Sequence, residues 1–493
     1  MDTVRTGPMA MIARRCDRSL LAAIVTWFAL GSAADAQIWT LGADVGLGET
    51  DNVTLAENNK ISQTMATADL DFAVLEQSRL FNVNAKGDFS DYDYLQHAYG
   101  NELIGRFDGL AKLALVPDRV TWVLQEDFGQ SLLDPYLPQT PSNRQNINYL
   151  STGPDLDLRL GGTGFVDVSV RYAEAYYEDS PFDSNRLFGS LAWGVRLSPT
   201  SSVSLNVDSE RVLFDNTLVN TDFDLSNAFI RYTAQGARTQ LTANLGATEV
   251  RAGPTTTTGP LAQLGLTRTL SPSATLAVSA ARQLTDPSTS FSSIQGGAIS
   301  EITQGPAVIT SAAYTGDSAN AVWTYQRNRT IVKVSARWEK DSYQSAPVFN
   351  NTRGGGEFSI ERQLTPEFSA QLLGRWYKTD YPYGVVAIEN GVITANGQIL
   401  TTANEVVPPP AGAASDYTTT TIGGALSWRH GRWLEVRLRY EHNSENVTGA
   451  GSGYNQNTVF LTVGYRPVTN QPKGTFQPLN TPLNPPGMLQ TTQ

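Results

Sequence analysis

Apolar and polar residues alternate singly along much of this chain. In residues 165–173, Val166, Val168, Val170 and Tyr172 fall on one side of an extended backbone, and Asp167, Ser169 and Arg171 on the other. Successive side chains of a strand point to opposite faces, so this pattern predicts a strand with one apolar and one charged face. The same alternation sets Leu434, Val436, Leu438 and Tyr440 against Glu435, Arg437, Arg439 and Glu441. It sets Val332, Val334, Ala336 and Trp338 against Lys333, Ser335, Arg337 and Glu339, and Val203, Leu205 and Val207 against Ser204, Asn206 and Asp208. Beyond the N-terminal segment no 18 continuous apolar residues occur, so nothing there reads as a transmembrane helix.

The connections repeat as regularly as the faces. Short turns are predicted at Leu115-Val116-Pro117-Asp118, Leu160-Gly161-Gly162-Thr163, Leu197-Ser198-Pro199-Thr200, Gln235-Gly236-Ala237-Arg238, Leu270-Ser271-Pro272-Ser273, Arg327-Asn328-Arg329-Thr330, Leu364-Thr365-Pro366-Glu367 and His430-Gly431-Arg432. Four share the form Leu-x-Pro. From Gly162 to Pro199, and again from Pro199 to Gly236, is 37 residues, room for two strands and a loop. Wider spacings coincide with polar, Gly/Pro-rich inserts near 286–319 and 381–415, midway between short turns. Long loops therefore share one end and short turns the other. That is the pattern of an all-β transmembrane antiparallel barrel of about 20 strands (18–22), with short periplasmic turns and longer extracellular loops. Closure between a first strand near Ile38–Gly48 and a last near Thr458–Tyr465 removes the exposed edges. Trp39, Trp122, Tyr177, Trp338, Tyr381 and Tyr465 stand near strand ends, where interfacial girdles or ordinary strand aromatics would both place them. A soluble β-sandwich or propeller fits the alternating connections less well.

The N-terminus reads as an export signal. Arg5, Arg14, Arg15 and Arg18 precede an apolar run from Leu20 to Leu30, then Ala34-Asp35-Ala36, with cleavage expected between Ala36 and Gln37. The domains expected are thus a signal peptide over 1–36, a barrel over 37–466 and a Pro-rich periplasmic tail over 467–493, extended rather than folded. Losing four Arg and three Asp with the signal takes the formal charge from −11 to about −12. Such a chain is a poor partner for nucleic acid. The single Cys, Cys16, leaves with the signal, so no disulfide is expected.

Candidate chemistry is sparse. His97, His430 and His442 stand apart from one another, no catalytic triad or metal spacing is evident, and neither a cofactor nor an enzyme activity is expected. Gly161-Gly162-Thr163-Gly164 and Gly354-Gly355-Gly356 lack a following helix and read as turn and strand glycines. The remaining hint is the charged face. Asp167, Arg171, Asp208, Lys333, Arg337, Glu339, Arg375, Glu435, Arg437, Arg439 and Glu441 are expected to line a lumen. There they either organise the path of a polar solute or polymer, or form a salt-bridge network that closes the barrel. Any plug would come from the inserts 286–319 or 381–415.

The stretches Asp222-Phe223-Asp224, Ala228-Phe229-Ile230-Arg231-Tyr232, Gly236-Ala237-Arg238-Thr239, Leu245-Gly246, Gly259-Pro260-Leu261 and Leu270-Ser271-Pro272 resemble uncharacterised outer-membrane proteins associated with the PEP-CTERM/exosortase system. Thr50-Asp51-Asn52-Val53-Thr54-Leu55 is similar too, while Ala247 departs from the aromatic expected there. The resemblance implies a Gram-negative outer-membrane location and a channel or accessory role in exopolysaccharide or cell-surface export. It implies as partners outer-membrane lipid, the barrel-assembly machinery and exopolysaccharide or its export proteins. A structural or adhesion barrel with a closed lumen, acting through its outer loops, is the alternative. No site residue is carried over.

Overall fold

A computed structural model describes residues 38–134, 137–294, 312–344, 347–382, 387–389, 392–395, 398–399, 415–431, 433–449 and 452–465. The expected signal, its cleavage point Ala36/Gln37 and the tail from Pro467 lie outside the described residues.

The alternating segments form one sheet of 20 antiparallel strands. Each strand pairs with its sequence neighbours, and the first, Ile38–Thr50, pairs with the last, Tyr454–Tyr465. Registers Asp44↔Gly464 and Thr50↔Thr458 close the ring, so no edge remains to pair with another chain. The seam is tight. A Cβ on Gly464 would collide with the Asp44 carboxylate, and one on Gly48 with the Phe460 ring.

All eight predicted short turns lie at one rim, and the long connections lie at the other. One connection on the long rim is short, the Gly253-Pro254 hairpin. Three Leu-x-Pro turns share a device: the register slips by one residue at Leu115, Leu197 and Leu270, making each leucine the extra residue of a bulge. The bulge strengthens the local twist, and the following proline presets the turn. Each of these leucines, with Leu364 of the fourth turn, keeps its side chain exposed.

The outer face carries an apolar belt. Leu187, Leu191, Trp193 and Val195 of Ser184–Ser198 lie beside Leu205 and Val207 of the next strand, all exposed, with Leu245 at 67%. Trp122, Trp323, Trp428 and Tyr465 mark its edge near the short turns; Tyr172, Trp338, Trp376 and Tyr440 mark the other. Tyr177 and Tyr381 do not belong to a girdle: both face inward and are buried. Strands run 12–17 residues, longer than the belt requires. Beyond it, towards the long rim, the outward positions turn polar, as at Glu174, Asn185, Arg211, Asp224 and Glu249. The wall continues past the belt because backbone pairing, not apolar contact, holds the strands together.

Candidate functional site

The pairing registers carry every lumen candidate to the face opposite the belt. Asp167 stands across from Asp157, Asp208 from Asn227, Lys333 from Ser359, Arg337 from Gly355, Glu339 from Arg353 and Arg375 from Glu357. Glu435, Arg437, Arg439 and Glu441 lie in a row along one strand, Leu434–Thr448. Most are tied to neighbours. Arg375 lies 3.2 Å from Glu357; Glu339 holds Arg337 and, at 3.0 Å, Arg353; Glu435 receives Arg437 at 2.8 Å and Arg429 at 3.0 Å. Arg439 and Glu441 are 3.9 Å apart. Each of these pairs joins residues on the same or adjacent strands, so it runs along the wall and not across the lumen.

Arg171 is set apart by its surroundings. Its guanidinium lies 2.6 Å from Asp155 and donates to the carbonyls of Pro154 and Val170, each at 3.0 Å. The pairing of its strand with Arg144–Leu160 is interrupted at Gly153 and Pro154, since Thr152 pairs with Tyr172 and Asp155 with Ser169. Proline cannot donate to the ladder, and Arg171 satisfies the carbonyl beside the break. Its role is to brace this gap in the ladder, across which the register is unchanged.

The mouth at the long rim holds what alternation could not reveal. Insert 286–319 begins with Asp286 and the helix Pro287–Ile294. The Asp286 carboxylate accepts from the Ser288 amide at 3.1 Å and the Thr289 hydroxyl at 2.5 Å, the behaviour of an N-cap, and Pro287 follows at the first helical position. The helix reaches back to the wall. Phe291 packs with Ile147, Ala175, Tyr177 and Phe182, and Arg186 bonds Asp286 at 2.7 Å and Glu210 at 3.2 Å. Ser288 bonds the Tyr177 hydroxyl at 2.7 Å and Ser290 the Tyr314 hydroxyl at 2.6 Å. Tyr177 belongs to the seventh strand and Tyr314 to the fourteenth, so the helix is bolted to walls seven strands apart. Burial alone would raise the Asp286 carboxyl, but the Arg186 charge and the bonds from Arg186 and Thr289 hold it below its ordinary value. Asp286-Pro287 is itself a helix-start signal, and it is the one trace of this arrangement in the sequence.

Inward tyrosines complete the mouth. Tyr314 and Tyr343 rings lie 4.8 Å apart, and Tyr381 and Tyr417 pack edge-on at 5.7 Å. In the other insert, Ala387–Glu389, Val392–Ala395 and Gln398–Ile399 pair into a small three-stranded sheet.

The histidines stay dispersed. His442 Nδ1 lies 2.9 Å from the Asn457 Oδ1 that also accepts from Tyr440, and His430 packs against the Trp428 ring at the short-turn rim. Among the described residues no three of His, Cys, Asp and Glu gather as metal ligands.

No protein-family model and no curated protein matches the chain. Solved structures do. A point mutant of the ferric enterobactin receptor PfeA from Pseudomonas aeruginosa is 11% identical at a TM-score of 0.43, over 86% of this chain and 80% of that one. The FrpB iron transporter from Neisseria meningitidis is 9% identical at 0.41, over 87% and 81%. The copper transporter OprC is 12% identical at 0.41, over 88% and 81%. Likeness at this level brings no substrate to the present chain.

Proposed function

We propose that this chain is an outer-membrane barrel that conducts a polar solute or polymer, as a channel or accessory component of exopolysaccharide or cell-surface export. The observation that carries the reading is the two-faced wall. The outer face is an apolar belt, while the inner face carries charges paired along the strands. Twenty strands enclose more space than side chains fill: barrels of 16–18 strands already leave an aqueous channel. Exopolysaccharide as the cargo rests on the resemblance of residues 222–273 to the PEP-CTERM-associated proteins. The periplasmic side is assigned to the short-turn rim, which holds the first and last strand ends.

The bolted helix favours a second reading, a barrel closed at its mouth that acts through its outer loops. Single-channel recording of the refolded mature protein in a planar bilayer separates the two. Reproducible conductance steps support the conduit. Stable insertion without conductance supports the closed barrel, and failure to insert overturns both.

A further inference from the structure

At the short-turn rim, three exposed arginines line one depression beside the outer face of the wall. Arg327, Arg329 and Arg362 line one cavity of about 550 Å³ with Tyr325, Asn328 and Thr330. The registers Arg327↔Thr330 and Thr330↔Arg362 continue the outward row of Tyr325↔Val332 and Val332↔Ile360, so Arg327 and Arg362 share the belt's face. Between Arg327 and Arg329 the chain turns through Asn328 in the left-handed conformation at φ +53°, which this residue type tolerates. The turn thereby sets one arginine on each side of the bend. Among the described residues none of the three has an acidic partner, and no carboxylate lines the cavity. Like charges lining one cavity repel, and an anion placed among them offsets that repulsion. Directly above, Trp323 and Tyr325 stack at 5.9 Å and mark the edge of the belt.

We propose that this cavity binds the phosphate of an anionic glycerophospholipid in the leaflet at the short-turn rim. Guanidinium forks match phosphate oxygens two at a time. The site's height supplies the rest of the ligand: a phosphate held there leaves its acyl chains against Val332, Ile360 and Phe358 on the belt. The inference rests on the belt lying in lipid, as in the function proposed above.

The test uses the full mature protein in detergent, titrated with phosphatidylglycerol, phosphatidylcholine or inorganic phosphate, with bound adducts counted by native mass spectrometry. Insertion into vesicles is scored separately by heat-modifiable migration, so loss of lipid selectivity and loss of membrane residence are read apart. Phosphatidylglycerol is expected to be retained over phosphatidylcholine, and Arg362→Gln to weaken its retention about tenfold. Arg268→Gln, which removes an outward arginine of the same rim outside the cavity, is expected to leave retention unchanged. If Arg362→Gln does not fold, Arg329→Gln in the exposed turn replaces it with the same expectation. Equal retention of both lipids, equal effects of the cavity and Arg268 variants, or inorganic phosphate competing as well as the lipid would each overturn the assignment.

Discussion

The Arg186 guanidinium lies 2.7 Å from the Asp286 carboxylate, although 100 positions separate the two residues in sequence. The pair is almost wholly buried and also engages Glu210, so one cation holds two carboxylates at the barrel mouth. Removing Arg186 would leave both carboxylates without their cation, the situation that costs about 3–5 kcal/mol in buried pairs. Arg186→Leu is therefore expected to free the helix from the wall. Planar-bilayer recording should show larger conductance than the wild type, with the barrel still heat-modifiable. Unchanged conductance and unchanged melting would mean that the pair does not hold the helix.

The two faces of the strand Leu434–Thr448 should respond in opposite ways to charge. Val436 points outward between Leu434 and Leu438, whereas Arg437 points inward to Glu435. Val436→Arg should impair outer-membrane assembly, since a basic residue in the belt costs about 2–4 kcal/mol at the bilayer midplane. Arg437→Val should assemble nearly normally. Yields of folded protein in membrane fractions decide the matter; equal tolerance of both changes contradicts the assignment of faces.

Ion selectivity should follow accessibility and not charge count. Arg439 is 41% exposed and lies 3.9 Å from Glu441, while Arg375 is 11% exposed and bound at 3.2 Å to Glu357. Arg439→Gln should shift the reversal potential in a salt gradient toward cation preference more than Arg375→Gln does, although each removes one positive charge. The reverse order would place the conducting path along the other wall.

At the long rim, Asp183 gives a pH dependence. Burial, with the Asp215 and Glu174 charges adding to it, pushes its carboxyl up to about 6 although the Tyr177 amide bonds to it. The native state thus binds this proton more tightly than the unfolded chain, whose carboxyl titrates near 3.9. Its stabilising contribution is present below about pH 4 and is lost as pH rises through 6. Melting curves between pH 4 and 7 should fall with pH in the wild type and flatten in Asp183→Asn. A wild-type curve rising over this interval, unchanged in the variant, counts against the site.

The closure seam should tolerate no side chain at Gly464. A Cβ there overlaps the Asp44 carboxylate, so Gly464→Val should abolish the heat-modifiable folded band. Asp44→Ala in the same chain should restore part of it by clearing the space.

Leu115-Val116-Pro117 shows where reading a sequence succeeds and where it stops. The proline and its neighbours announce a turn from local chemistry, and their spacing announces which rim it occupies. That the leucine is the extra residue of a bulge depends on the partner strand's register, which no single segment records. Alternation from Tyr172 puts Tyr177 on the charged face, but the partners that bury Tyr177 and Tyr381, the Ser288 hydroxyl and the Tyr417 ring, come from distant segments. Alternation puts Arg171 on the charged face of its strand, while its attachment to the broken ladder at Pro154 depends on the pairing of two strands.

By itself the sequence determined the strands, their apolar and charged faces, the two kinds of connection and hence a closed barrel of about 20 strands. All of these follow from period two and from turn chemistry, which act over a few residues. Only the tertiary structure decided what enters the mouth. The Arg186–Asp286 contact and the helix between Tyr177 and Tyr314 are meetings of residues that ring closure and loop folding bring together. Contacts of that kind leave no periodic mark along the chain.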